Sequence, residues 1–186
     1  FHGHDLPDAL QGCDLLSSGF ERETCYQGAF MENVVNAIMP HHPASALAQG
    51  DAHAAAGHAG GGHEAHGEHG AHAEHGAGAA STFKALDPDD LLYPCSAVAE
   101  RYWNACYSMQ TSAMLHHTGQ DVARTAQECG RVPATQRTTC FISLGRDISG
   151  MTSQDRAASR EKCAAVADAA DRAWCHVGAA TNMLNV

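Results

Sequence analysis

TGQDVARTAQEC (residues 118–129) and TSQDRAASREKC (152–163) share Thr, Gln, Asp, Ala and Cys in the same order, 34 residues apart. HGHDLPDALQGC (2–13) is a looser third copy. The cysteines carry this period further, because Cys95 to Cys129, Cys129 to Cys163 and Cys106 to Cys140 are each 34 residues. A period between 20 and 50 residues is the mark of stacked supersecondary units rather than of one irregular domain.

All eight cysteines fall into sequential pairs: Cys13 and Cys25, Cys95 and Cys106, Cys129 and Cys140, Cys163 and Cys175. The separations of 12, 11, 11 and 12 exclude the CxxC of a zinc ribbon or redox enzyme and the CxxCH of covalent haem. An even count at regular spacing reads as a disulfide framework, and so as an oxidising compartment, periplasmic or extracellular.

Eight residues before the first cysteine of each pair stands an aspartate: Asp5, Asp87, Asp121 and Asp155. A carboxylate there suits a helix N-cap, since it accepts from the orphan amides of the first turn and lies at the positive end of the dipole. Pro88 after Asp87 suits the first helical position. Each Asp is therefore expected to start the first helix of a unit. Three residues before the second cysteine stand Arg22, Arg137 and Arg172, with Trp103 the exception and Arg101 close by.

One continuous helix would hold two such cysteines ~16 Å apart, against the ~6 Å that a disulfide allows between Cα atoms. SSG (17–19) and VPAT (132–135) are turn sequences, which favours an αα-hairpin closed by its own bridge. SAVAERYWNA (96–105) and AAVADAADRAW (164–174) contain no Gly or Pro and read as helical. If those are continuous, the bridges join neighbouring helices instead, as in twin CX9C proteins. The expected class is all-α: four ~34-residue αα-hairpin repeats forming a small solenoid or bundle, one disulfide per hairpin.

CYQGAF (25–30), read as the start of a second helix, resembles the Sel1-like, cysteine-rich helical repeats. The resemblance covers all four units but not the insertion described next. Cysteine spacing here is longer than in those proteins and the period slightly shorter. It implies the fold and a surface presented to partners, and it assigns no catalytic residue.

From the second cysteine to the next Asp is 15 residues at Cys106 to Asp121 and at Cys140 to Asp155, but 62 at Cys25 to Asp87. The excess is an insertion of roughly residues 39–86 in an otherwise single helical-repeat domain over 1–186, with units near 5–38, 87–117, 121–150 and 155–186. It holds nine of the fourteen histidines, among them the HEAHGEHGAHAEH run with His63, His66, His69, His72 and His75. Its Ala, Gly, His and Glu carry too little apolar surface to bury themselves. Imidazole is the commonest borderline ligand for copper, zinc and nickel, and a plain spacer has no use for it.

Histidine pairs also stand at the junctions: His2 and His4, His41 and His42, His116 and His117. Met39 in MPHH and Met114 in MLHH add a soft thioether beside two of them, a copper-like ligand set. The residues therefore read as a secreted or periplasmic metal-binding protein, copper before zinc or nickel, for capture, storage or delivery. The alternative is a non-enzymatic structural or protein-interaction subunit of an extracellular assembly, with partners that include another protein or a second copy of the chain. A non-covalent haem or redox copper site at the junction histidines is a third.

Formal charge is −10 with two lysines, which excludes a clustered basic face for nucleic acid. No apolar run approaches the ~18 residues of a membrane span. No nucleophile motif, phosphate loop or HExxH is present, so no enzyme is expected. Phe1 in place of Met is expected to mark a processed N-terminus.

Overall fold

The computed structural model describes residues 5–39 and 83–184. Among them are seven α-helices and no strand: α1 Leu6–Asp14, α2 Gly19–Ile38, α3 Trp103–His117, α4 Val122–Cys129, α5 Arg137–Met151, α6 Arg156–Cys163 and α7 Ala169–Leu184. Short 3-10 turns, Glu100–Tyr102 and Ala134–Gln136, lead into α3 and α5.

Every bridge is local. Cys13–Cys25, Cys95–Cys106, Cys129–Cys140 and Cys163–Cys175 span Cα distances of 5.6, 5.6, 5.5 and 5.9 Å. The two Ala-rich segments are broken, not continuous, with extended backbone at Ala99 (ψ 149°) and non-helical residues at 164–168. Three short helices begin as the aspartates require: Asp5, Asp121 and Asp155 accept from the amides of Asp8, Arg124 and Ala158 at 3.2, 3.0 and 2.7 Å. Ser18 and Glu21 form a reciprocal capping box at the start of α2.

The second unit departs from expectation, because Asp87 starts no helix. Its carboxylate accepts from the amide of Asp89 in a tight turn, and residues 91–97 form further turns. Pro94 explains the difference, since it lacks the amide that a helix through Cys95 would need and pushes Tyr93 out of the helical region. A buried side chain does the work of the missing helix. The Gln110 amide of α3 donates to the carbonyls of Leu91 (2.8 Å) and Tyr93 (2.6 Å).

The arginines before the second cysteines close the hairpin turns. Arg22 donates to Leu16 O at 2.8 Å and Arg172 to Val166 O at 2.8 Å, each carbonyl three residues past the first cysteine. Trp103, the exception in sequence, is none in function, because its indole N–H donates to Val98 O at 3.1 Å, the matching carbonyl. Arg137 reaches Gly130 O at 2.9 Å and also grips the buried Asp171 of α7 through Nε and a terminal nitrogen (2.9 and 2.6 Å).

The long helices pack in chain order, α2 on α3, α3 on α5 and α5 on α7, the last pair having the most extensive contact. The α3–α5 seam is polar, with Thr111, Ser112, Ser143, Arg146 and Asp147 interlocked. Between α5 and α7 the helices approach through glycine: a Cβ on Gly145 would overlap the backbone of Cys175, and one on Gly178 that of Ile142. Phe30, Tyr107, Met114, Phe141, Leu144 and Ile148 fill the core along this row.

The first hairpin is tied to α3 by Asp14, which accepts from the hydroxyls of Tyr102 and Tyr26 (2.6 Å each) and from Arg101 (2.9 Å). Those donors, Tyr102 first, hold the Asp14 carboxyl below its ordinary 3.8. Burial, and then Asp14, push Tyr26 up to about 12. The depressed carboxyl contributes stability at neutral pH that is lost as pH falls through its folded pKa; the raised phenol contributes stability present below pH 10 and lost as pH rises through about 12. Asp14→Asn should therefore flatten the acid side of a stability profile, and should lower the Tyr26 midpoint in an absorbance titration without returning it to the ordinary value, because burial remains. An unchanged midpoint would count against this link.

Candidate metal-binding site

α3 ends at His116 and His117 because the backbone turns left-handed at Gly119 (φ 65°) and Gln120 (φ 67°), which lets the Gln120 amide close on Leu115 O at 2.7 Å. The equivalent turn after α5, Ser153 (φ 50°) and Gln154 (φ 64°), closes on Ser149 O at 2.8 Å. This placement puts the imidazoles at the negative end of the α3 dipole, where positive charge is favoured.

The two rings lie 5.3 Å apart, centroid to centroid, at 76°. His116 is exposed, whereas His117 is half-buried and its Nε2 is shielded with no hydrogen-bond partner. An ion arriving from solvent must therefore meet Nδ1 of His117 or rotate that ring.

His116 also lines an open groove of about 480 Å³ where the C-terminal parts of all four long helices gather. Ile38 comes from α2, Leu115 from α3, Met151 from α5 and Asn182 from α7, so the four helices point the same way. The charges in its wall are satisfied internally. Asp147 accepts from Thr111 (2.7 Å), Ser112 (2.8 Å) and Arg146 Nε (2.9 Å), and Arg146 also donates to Ser108 O at 2.7 Å. The His116 imidazole and the Met151 thioether are thus the ligand-type side chains that remain among its described lining residues.

The thioethers fare differently. Met39, the C-cap of α2, is 55% exposed and follows Ile38 at the groove. Met114 is 0% exposed and packs in the core. Two residues apart on a helix means ~200° of rotation, so Met114 and His116 face opposite ways and do not form the mixed ligand set that MLHH suggests. His2, His4, His41, His42, His63, His66, His69, His72 and His75 lie outside the described residues. Among the described residues no group of three or more His, Cys, Asp or Glu is set to hold a metal ion.

Sequence reading missed the α3–α5 polar seam, though a signal existed. Ser108, Thr111 and Ser112 repeat the i, i+3, i+4 spacing of Ser143, Arg146 and Asp147, two polar stripes on helices too apolar elsewhere to be surface. No helix of the described residues is long and apolar enough to cross a membrane. Comparison of the chain with family models, curated proteins and solved structures finds no match.

Proposed function

We propose that this is a secreted or periplasmic metal-binding protein, with copper preferred over zinc or nickel, that captures, stores or delivers the ion. The scaffold is a solenoid-like stack of disulfide-closed helical repeats, similar in plan to the Sel1-like cysteine-rich proteins, and the insertion of roughly 39–86 supplies most of the imidazoles. One observation carries the reading: Ile38, the last helical residue before the histidine-rich segment, and His116 of the histidine pair line the same groove. The described end of α2 thus lies beside the histidine pair that closes α3.

Local bridges throughout support an oxidising compartment. Coordination needs neutral imidazole, so protonation near pH 6 should release the ion. Deleting residues 43–80 should remove most of the copper taken up while leaving the melting temperature of the disulfide-closed scaffold unchanged; His116→Ala with His117→Ala in that background should remove what remains. Full copper uptake by the deleted chain would exclude the insertion as the collector. The second reading, an interaction subunit of an extracellular assembly, is favoured by a different feature, the uncharged outer face of α7.

A further inference from the structure

A surface helix ordinarily turns charged and polar side chains to water. α7 does not. Its exposed residues are alanines together with Trp174, Val177, Thr181 and Leu184, without one charge, in a chain of formal charge −10. Trp174 is 41% exposed, Val177 44% and Leu184 84%. The charged residues of this helix are turned away, Asp171 into its buried grip with Arg137 and Arg172 onto the carbonyl of Val166. Even the Thr181 hydroxyl donates its one proton back to Val177 O at 2.9 Å.

The order of side chains says what fits there. If a second α7 lies antiparallel across the first, with a two-fold axis at Val177, Trp174 faces Ala180 of the other copy and Leu184 faces Ala170. Ala173 then faces Thr181, and Val177 meets itself. The two largest side chains, Trp174 and Leu184, each meet an alanine, as close helix packing needs, and the contact is isologous, the commonest symmetry of soluble oligomers. It sets no like charges against each other, and the antiparallel dipoles attract. The other open end of the row, α2, is less suited as a partner surface because it exposes Glu21 and Glu32 beside Phe20 and Met31.

We infer that the α7 face is a homodimer interface, formed by antiparallel pairing of α7 about Val177, which continues the row of long helices from one copy into the next. The inference does not depend on metal binding. α7 is about 24 Å long, so a single helix pair covers less than the ~800 Å² per partner of a standard interface, and the dimer is expected to be a weak one that depends on concentration.

Sedimentation of the full chain in EDTA, from about 1 to about 200 µM, spans the concentrations at which a weak dimer assembles. The expected result is a monomer that becomes a dimer as concentration rises, with Trp174 emission moving to the blue. Val177→Lys and, separately, Ala180→Glu should remain monomeric throughout with an unchanged helical signal, since both positions are exposed. Register is read by crosslinking: Val177→Cys should join to its own copy and Ala170→Cys should not. A wild-type chain that stays monomeric, a dimer that survives both charged substitutions, or equal crosslinking at both positions would each overturn the inference.

Discussion

Reduction of the four disulfides is expected to unfold the chain. Each bridge closes a loop of 11 or 12 residues, and confining a loop of that length in the unfolded state is worth about 3 kcal/mol. The four together rival the 5–15 kcal/mol or so by which a whole domain is normally stable. Helix length points the same way. α4 and α6 have 8 residues each, well below the ~12–15 at which an isolated helix becomes even marginal in water, so they persist because their cysteines fasten them to α5 and α7. Circular dichroism at 37 °C with and without a phosphine reductant should show loss of most helical signal on reduction. Replacing Cys129 and Cys140 together by alanine should cost about 3 kcal/mol in denaturant titration. A reduced chain that keeps its helical signal and cooperative melt would mean that the core, not the bridges, holds the fold.

Gly178→Ala is the single substitution with the largest expected cost. The added methyl would occupy the position of the Ile142 carbonyl on α5, and Gly145→Ala would do the same to Cys175 on α7. Since the clash in each case is with backbone, neither helix can relieve it by a rotamer change; α5 and α7 must move apart along their most extensive contact. Overpacking of this kind costs about 3 kcal/mol or more, whereas alanine in an open helix position would gain up to about 1 kcal/mol over glycine. Gly150→Ala, on α5 like Gly145 but with open space around its Cβ, is the internal control and should be neutral or stabilising. Because Gly145 and Gly178 serve one crossing, the double substitution should cost less than the two added together. Equal melting temperatures for Gly178→Ala and Gly150→Ala would contradict the close approach.

These two results mark where the sequence could be read and where it could not. Bridge pairing and the three Asp caps were legible because each depends on residues within about a dozen of one another, and spacing alone constrains them. Asp87 misled because an Asp-Pro start signal was overridden by Pro94 seven residues later, a local conflict that the chain resolves only by calling on Gln110 from α3. In the sequence nothing sets Gly145 and Gly178 apart from the other glycines, and only the helix facing each of them gives the glycine its purpose. Trp103 looked like a break in the arginine pattern, yet an indole N–H reaches the same carbonyl as a guanidinium. At the candidate site the histidine pair was legible, but its division into an exposed His116 and a half-buried His117 was not. Nor was the burial of Met114, since MLHH does not tell which side of α3 faces the core.

The groove also gives the metal-binding reading a physical order. Among the described residues, the end of α2, after which the insertion begins, and the end of α3, which carries His116, share one wall. Acid would empty such a site by protonating imidazole, while the fold itself would persist until the carboxylates of Asp14 and its kind titrate at much lower pH. Release without unfolding is therefore expected across the range near pH 6.

Isothermal titration of the intact, oxidised chain at neutral pH with Cu(II), with Cu(I) held under anaerobic conditions, and with Zn(II) tests this account most directly. It predicts several equivalents of copper bound more tightly than about 1 µM, zinc bound more weakly, and loss of the heat signal near pH 6. No binding tighter than micromolar for any of the three ions would contradict it.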